Sequence, residues 1–356
     1  MLITALSFIV VLGVVVFVHE LGHFLAAKLV GARVDAFSIG FGKLVGVKRG
    51  DTEYRLGYIP LGGYVKIAGM VDEFMEEGGG IKGEPHEFQS KSTLAKVFMI
   101  TAGVIMNFIL GFIIYTGITL VEGKPVTDPS ALIGSVAQGY PAAEAGLQPG
   151  DRILSVNGQH ANDWIVFRDL IRERPDIETS VVWVSGSDTI SAVVVPRLEQ
   201  VVENEQIIGV GMIGVGPKVI YQPAGLFGSI SNGAQSTWNI LNLSLQSLGM
   251  LMRGDASVKD LTGPAGIIYL SGETARAGWL SFLSFIAFIS ISIGFLNIMP
   301  FPVLDGGHLV YILVEAVIRR PVSTKVKLVL QQVGIALLLI LVLVVTYHDI
   351  LRFFVG

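Results

Sequence analysis

Polar and apolar positions divide the chain into long charge-free runs and shorter mixed stretches. Leu2 to Val18 carries no charge, and the apolar run continues to about Leu29. Val97 to Val121, Ala277 to Leu304 and Leu328 to Tyr347 are also uncharged. A helix of about 20 residues crosses the hydrocarbon core of a bilayer, so four spans are predicted. Pro300, Pro302, Gly306 and Gly307 interrupt the third. Broken helix at membrane depth is tolerated where protein or a watery cavity surrounds it. Leu226 to Met252 is apolar but carries Ser, Asn and Gln, which favours an interfacial helix over a fifth span.

Between the spans the pattern shortens. Gly31 to about Ser92 alternates β-prone runs with glycines, among them Val34 to Ile39 and Gly57 to Ile67, and predicts small strands and turns. It is either a plain hairpin loop or an exposed strand edge able to pair with an extended substrate. Asp72 to Glu87 is acidic and Gly-rich and is read as a mobile loop. Glu122 to about Pro217 is soluble in character. Its Pro149-Gly150-Asp151 turn, Ile153 to Val156 strand and Asn157-Gly158 hairpin turn predict an α+β insert. The expected divisions are therefore 1–31, 32–96, 97–121, 122–217, 224–258, 277–318 and 323–352.

Composition agrees with the spans. Of 356 residues, 51% are hydrophobic and 15% charged, with mean hydropathy +0.64; soluble domains carry about 25% charge. The fold class expected is a polytopic α-helical membrane protein with a membrane-associated β region and an α+β insert. A net charge of −4 gives no basic bias, so no nucleic-acid partner is expected. There is no cysteine, so any metal is held by His, Asp or Glu. No Lys or Arg precedes Lys28, which reads the first run as a retained span rather than a signal peptide.

The candidate chemistry lies at the end of the first run. His19-Glu20-Leu21-Gly22-His23 is H-E-x-x-H. On a helix it presents two imidazoles on one face for zinc, with a carboxylate beside them to take a proton from water. Solvated polar groups on a surface helix are the plain alternative, but ionisable groups at the edge of a lipid span are costly and usually functional. If the spans alternate in direction, the ends of spans one and three share a side, and Asp305 can meet His19 and His23. Arg319, Arg320, Lys325 and Lys327 crowd the loop between spans three and four and assign that side to the cytoplasm. Asn107 is read as an interhelical hydrogen bond rather than a catalytic group. His308 is read as a helix-face histidine, with support of the metal site as the other reading.

These motifs resemble the site-2 protease family: intramembrane zinc metalloproteases of the RseP/RasP type, peptidase family M50. The resemblance rests on H-E-x-x-H, Gly40-Phe41-Gly42, Gly62-Gly63-Tyr64-Val65, Gly263-Pro264 and Asn297 through Gly306, which reads N-x-x-P-x-P-x-L-D-G. Ala145 to Gly158 closely resembles a PDZ domain. The resemblance implies that Asp305 is the third zinc ligand beside His19 and His23, that Glu20 is the general base, and that Asn297 helps hold a substrate strand. It implies a membrane-reentrant β element at Gly57 to Val65, with Gly62, Gly63, Tyr64 and Val65 contacting substrate. Lys43 stands where many relatives have Pro after G-F-G, and one PDZ segment is visible where RseP-type members often have two.

The expected activity is hydrolysis of a peptide bond inside the transmembrane segment of single-pass proteins, such as trimmed anti-sigma factors or signal-peptide remnants. The protein is expected to be a monomer in a bacterial inner membrane. The active site would face the cytoplasm, and the PDZ segment would lie outside, gating access or capturing a new C-terminus. A membrane-embedded PDZ adaptor and a metal transporter are the rival readings. Intact Glu20 and Asp305 weigh against the first, and the lack of a polar path in spans two and four against the second.

Overall fold

A computed structural model describes residues 1–70, 83–203, 206–257, 259 and 261–352. The acidic segment read as a mobile loop falls mostly at 71–82, outside the described residues. Two compact units are present, residues 1–118 with 226–356, and residues 119–225.

The first unit opens with helix α1 (Leu2–Leu29). A four-stranded sheet follows: β1 (Val34–Phe41), β2 (Val45–Arg49), β3 (Thr52–Leu56) and β4 (Ile59–Ile67), in the order β2-β3-β1-β4. The β2–β3 hairpin turns at Gly50, where φ is +62°, and returns β3 parallel to β1. β1 is mostly buried, and Phe37 on it meets Phe17 and Phe24 of α1 edge-on, with ring centroids 6.1 and 5.3 Å away. Burial of one such ring stabilises by about 1.5–3 kcal/mol, which fixes the sheet against the helix. β4 is an edge strand; among the described residues no further strand pairs with it, and its Val65 N–H donates to the Glu20 carboxylate. Hydrogen bonds from Lys43 and Arg55 to the Glu53 carboxylate pull its pKa down to about 2 and brace the hairpin. Helix α2 (Thr93–Glu122) then runs through the second apolar stretch.

The second unit is α+β. It contains β5 (Lys124–Thr127), β6 (Ile133–Val136), α3 (Pro141–Glu144), β7 (Arg152–Val156), β8 (Gln159–His160), α4 (Trp164–Arg172), β9 (Thr179–Ser185), β10 (Asp188–Val194), β11 (Arg197–Glu203), β12 (Gln206–Met212), β13 (Val215–Pro217) and β14 (Val219–Gln222). Asn157 and Gly158 both have positive φ in the β7–β8 turn, as a tight hairpin requires. Asp163 caps α4, accepting from Ile165 N–H at 2.7 Å. Trp183, Phe167, Ile153 and Ile133 form the centre of its core.

The first unit resumes with α5 (Gly225–Arg253), α6 (Pro264–Ala277), α7 (Trp279–Asn297), α8 (Asp305–Ile318) and α9 (Thr324–Ile350). Among the described residues four helices are long and apolar enough to cross a membrane: α1, α2, α7 and α9. The stretch expected as one broken span at 277–318 is two helices, and α6 had no counterpart in the sequence reading.

Candidate metal centre and active site

α1 exposes no charge until its last turns, then carries His19, Glu20 and His23 inward; both histidines are buried. The third candidate ligand arrives through the break after α7. Residues 298–304 fold back over the first turn of α8. A Cβ on Gly306 would stand 2.1 Å from Met299 O, and one on Gly307 2.3 Å from Phe301 O. Glycine is therefore obligatory at both positions, and the tight fold sets Asp305 as the first residue of α8, facing α1.

His19 Nε2 and Asp305 Oδ2 are 3.1 Å apart, His23 Nε2 and Asp305 Oδ2 3.3 Å, and the two Nε2 atoms 3.1 Å. Ligand atoms about 2.0–2.1 Å from a tetrahedral zinc are separated by about 3.3 Å. The triangle has the edge lengths of three such ligands, and the donor set His, His, Asp suits zinc. The outer ring nitrogens are engaged elsewhere: His23 Nδ1 lies 2.8 Å from Met99 O and His19 Nδ1 3.3 Å from the Asn107 amide. A partner at Nδ1 leaves the Nε2 lone pair for a metal.

α2 makes room for this. A Cβ on Gly103 would come within 2.3 Å of His23 Nε2, and one on Gly22 within 2.5 Å of Ala102 O. Two glycines thus let α1 and α2 touch backbone to backbone at the histidines.

The site opens into a cavity of about 180 Å³ lined by His19, Glu20, His23, Asp305, His308 and Gln331, with Gly63, Tyr64, Val65 and Ile67 of β4 along one wall. Gly63 brings the strand close to Glu20; its Cβ would lie 3.3 Å from Glu20 Cγ. Gly62 faces the Phe41 ring instead of the cavity. Tyr64 OH accepts from Arg55 Nη1 at 3.0 Å, which steadies the edge strand. Asn297, the last residue of α7, sits at this triangle of candidate ligand atoms, with Nδ2 3.3 Å from His19 Nε2. His308 joins the lining one helical turn after Asp305.

Asn107, expected as an interhelical hydrogen bond, makes one: it is wholly buried and joins α2 to His19 of α1. Sequence reasoning missed Gln331 of α9, which lines the cavity with its Oε1 unpartnered among the described residues. Amides inside an otherwise apolar span, Gln331 and Gln332, were the available signal.

The model of peptidase family M50 matches residues 7–341. The zinc metalloprotease RasP of Bacillus licheniformis is 30% identical over 99% of both chains. The regulator of sigma-W protease RasP of Bacillus subtilis is 29% identical over the same shares. The PDZ domain of an SdrC-like protein from Listeria monocytogenes is 22% identical over 26% of this chain and 90% of its own, with a TM-score of 0.21. With a family model spanning nearly the whole chain and relatives aligned end to end, the chain belongs to peptidase family M50, the zinc-dependent membrane metalloproteases.

Proposed function

We propose that the chain cuts a peptide bond within the transmembrane segment of single-pass membrane proteins, with His19, His23 and Asp305 holding the zinc and Glu20 as the catalytic base. The observation that carries this reading is the convergence of those three ligand atoms beside Glu20 and the edge of β4.

Zinc, when bound, supplies a Lewis acid that polarises the scissile carbonyl and acidifies water. Glu20 takes the proton from the attacking water and returns it to the leaving amine. The edge of β4 at Gly63 to Val65, whose Val65 N–H is held by the Glu20 carboxylate in the absence of substrate, pairs with the unwound substrate as an added strand, exposing its carbonyls to attack. Gln331, which lines the same cavity and whose Oε1 has no partner among the described residues, binds the substrate backbone. Asn297, beside His19, steadies the substrate carbonyl.

Asn107 fixes the His19 tautomer. With Nδ2 toward the ring, its buried Oδ1 has no partner. Rotating the amide by half a turn sets Oδ1 on the Nδ1–H and gives that oxygen its donor, because amide O and N are interchangeable in shape. His23 reaches the same tautomer by donating from Nδ1 to Met99 O.

The substrates by this reading are trimmed anti-sigma factors or signal-peptide remnants in a bacterial inner membrane. The basic loop Arg319 to Lys327 supports a cytoplasmic active-site end, with the PDZ-like unit outside. That unit gates access. Its apolar groove between α4 and residues 211–217, lined by Trp164, Phe167, Ile171 and Met212, favours capture of a trimmed chain end as the second reading.

The test is cleavage of a single-span reporter by the purified, zinc-loaded protein beside its Glu20→Gln variant. Wild type alone should cut, with equal zinc in both. Cutting by Glu20→Gln would remove Glu20 from the base role.

A further inference from the structure

A second cavity gathers charge away from the metal. It holds about 460 Å³ between the start of α2, the end of α8 and the start of α9. Lys96, Arg319, Arg320 and Lys327 line it, with Glu315 the one carboxylate in its lining among the described residues. Glu315 is already satisfied: its Oε1 accepts from Lys327 Nζ at 2.7 Å and from Val322 N–H at 3.0 Å. Three cations are left over. Among the described residues neither arginine forms an ion pair, and Lys96, with no carboxylate in hydrogen-bond reach, meets Gln89 Oε1 at 3.5 Å and the Phe88 ring at 5.8 Å. Arg319 also ends α8 in the left-handed region, φ 55°, where glycine is the usual residue. An arginine is kept there at a cost in backbone strain.

Like charges around a partly enclosed space repel, and an anion between them relieves this. The position decides which anion. Thr93 and Thr324, the first residues of two spans, both line the cavity, which sets it level with the span ends. Beside it the surface turns apolar: Leu94, Leu313, Val317 and Val326 are exposed, Val317 at 82%. Free phosphate has no use for those side chains, whereas a phosphate carrying acyl chains does.

We propose that this cavity binds the headgroup of an anionic phospholipid, its phosphate held by Lys96, Arg319 and Arg320 and its chains lying along α8 and the first turns of α9. Basic pockets between spans suit such headgroups in general.

The experiment is native mass spectrometry of the full chain in neutral detergent with equal phosphatidylglycerol and phosphatidylcholine. Wild type should retain one phosphatidylglycerol in clear preference. Arg319→Gln/Arg320→Gln, which removes two exposed side chains and leaves the packing intact, should weaken retention roughly 25-fold, at about fivefold per charge. Lys96→Gln should lose about fivefold, and Arg49→Gln, on the exposed strand β2, nothing. Equal retention of the two lipids, or unchanged retention in the double variant, overturns the proposal. A parallel melting series with inorganic phosphate separates the sources. Stabilisation by phosphate equal to that by phosphatidylglycerol would make the ligand free phosphate and overturn the lipid assignment.

Discussion

Gly103→Ala tests the metal centre at its tightest point. The added Cβ would stand 2.3 Å from His23 Nε2 and 2.8 Å from His19 Cε1, where ordinary contact begins at 3.4 Å. The methyl and the ring must therefore part by about 1 Å. α2 cannot withdraw freely, because its backbone already rests on Gly22, and the buried Met99, Ile100 and Ala102 fill the interface beside it. Overpacking of this kind costs about 1–3 kcal/mol, and the better helix propensity of alanine returns up to about 1 kcal/mol. The variant should fold. Metal ligands, by contrast, tolerate displacements of only about 0.2 Å. Zinc affinity should fall at least as far as it does when a supporting hydrogen bond is lost, roughly 10–100-fold or about 1.4–2.7 kcal/mol. The assay is competition with a chromophoric chelator in detergent, with circular dichroism to report folding. Gly117→Ala, on the same helix but with open space around it, is the control and should bind as wild type. A Gly103→Ala protein with wild-type zinc affinity would refute the packing argument.

Three further substitutions separate the roles of other residues. Asn107→Leu removes the partner of His19 Nδ1 and should weaken zinc binding about 10–100-fold by the same competition assay, with the helical spectrum retained. Gln331→Leu should raise KM for a single-span reporter several-fold while zinc content stays at one per chain; an unchanged KM would remove Gln331 from substrate binding. Asp349, on α9, accepts from the N–H groups of Gly263 and Gly266 at 3.0 and 2.8 Å and so caps α6. Asp349→Ala leaves both buried and unpaired, which should cost about 1–3 kcal/mol and lower the melting temperature without changing zinc affinity.

Residues adjacent in sequence were the legible ones. H-E-x-x-H needs only the helical period to place two imidazoles together, and charge-free length alone marks the four spans. The N-x-x-P-x-P-x-L-D-G run announces broken helix because proline and glycine act locally. What it does not announce is that Gly306 and Gly307 are dictated by carbonyls folding back over them. α6 was illegible for a related reason. A Gly-Pro pair breaks a helix interior, but proline is well suited to the first turn of a helix, and the cap that permits this start at Pro264 comes from Asp349, far along the chain. Gly103, Gly111 and Gly117 look alike in an apolar run. Only the pairing of helices makes the first a ring-sized hole, sets the second against Ile291 and leaves the third open.

The face α2 turns to His19 and His23 explains why one helix can hold two histidines. Met99, Gly103 and Asn107 follow one another at intervals of four, as His19 and His23 do on α1, so the two rows match in pitch. The Met99 carbonyl receives His23 and the Asn107 amide receives His19, with the missing side chain of Gly103 between them. In a helix the side chain at i+4 lies over the carbonyl at i. Any residue larger than glycine at 103 would therefore cover the acceptor that His23 uses as well as crowd both rings. One absence serves two ends, and this couples the tautomer of His23 to the spacing of the helices. A substitution that relieved the steric clash by separating α1 from α2 would lengthen the bond to Met99 O and still release the ring. A methyl at Gly103 and a leucine at Asn107 should consequently be less than additive in zinc affinity, since either one frees the imidazoles from the same face. Full additivity in the double variant would show instead that the two histidines are held independently.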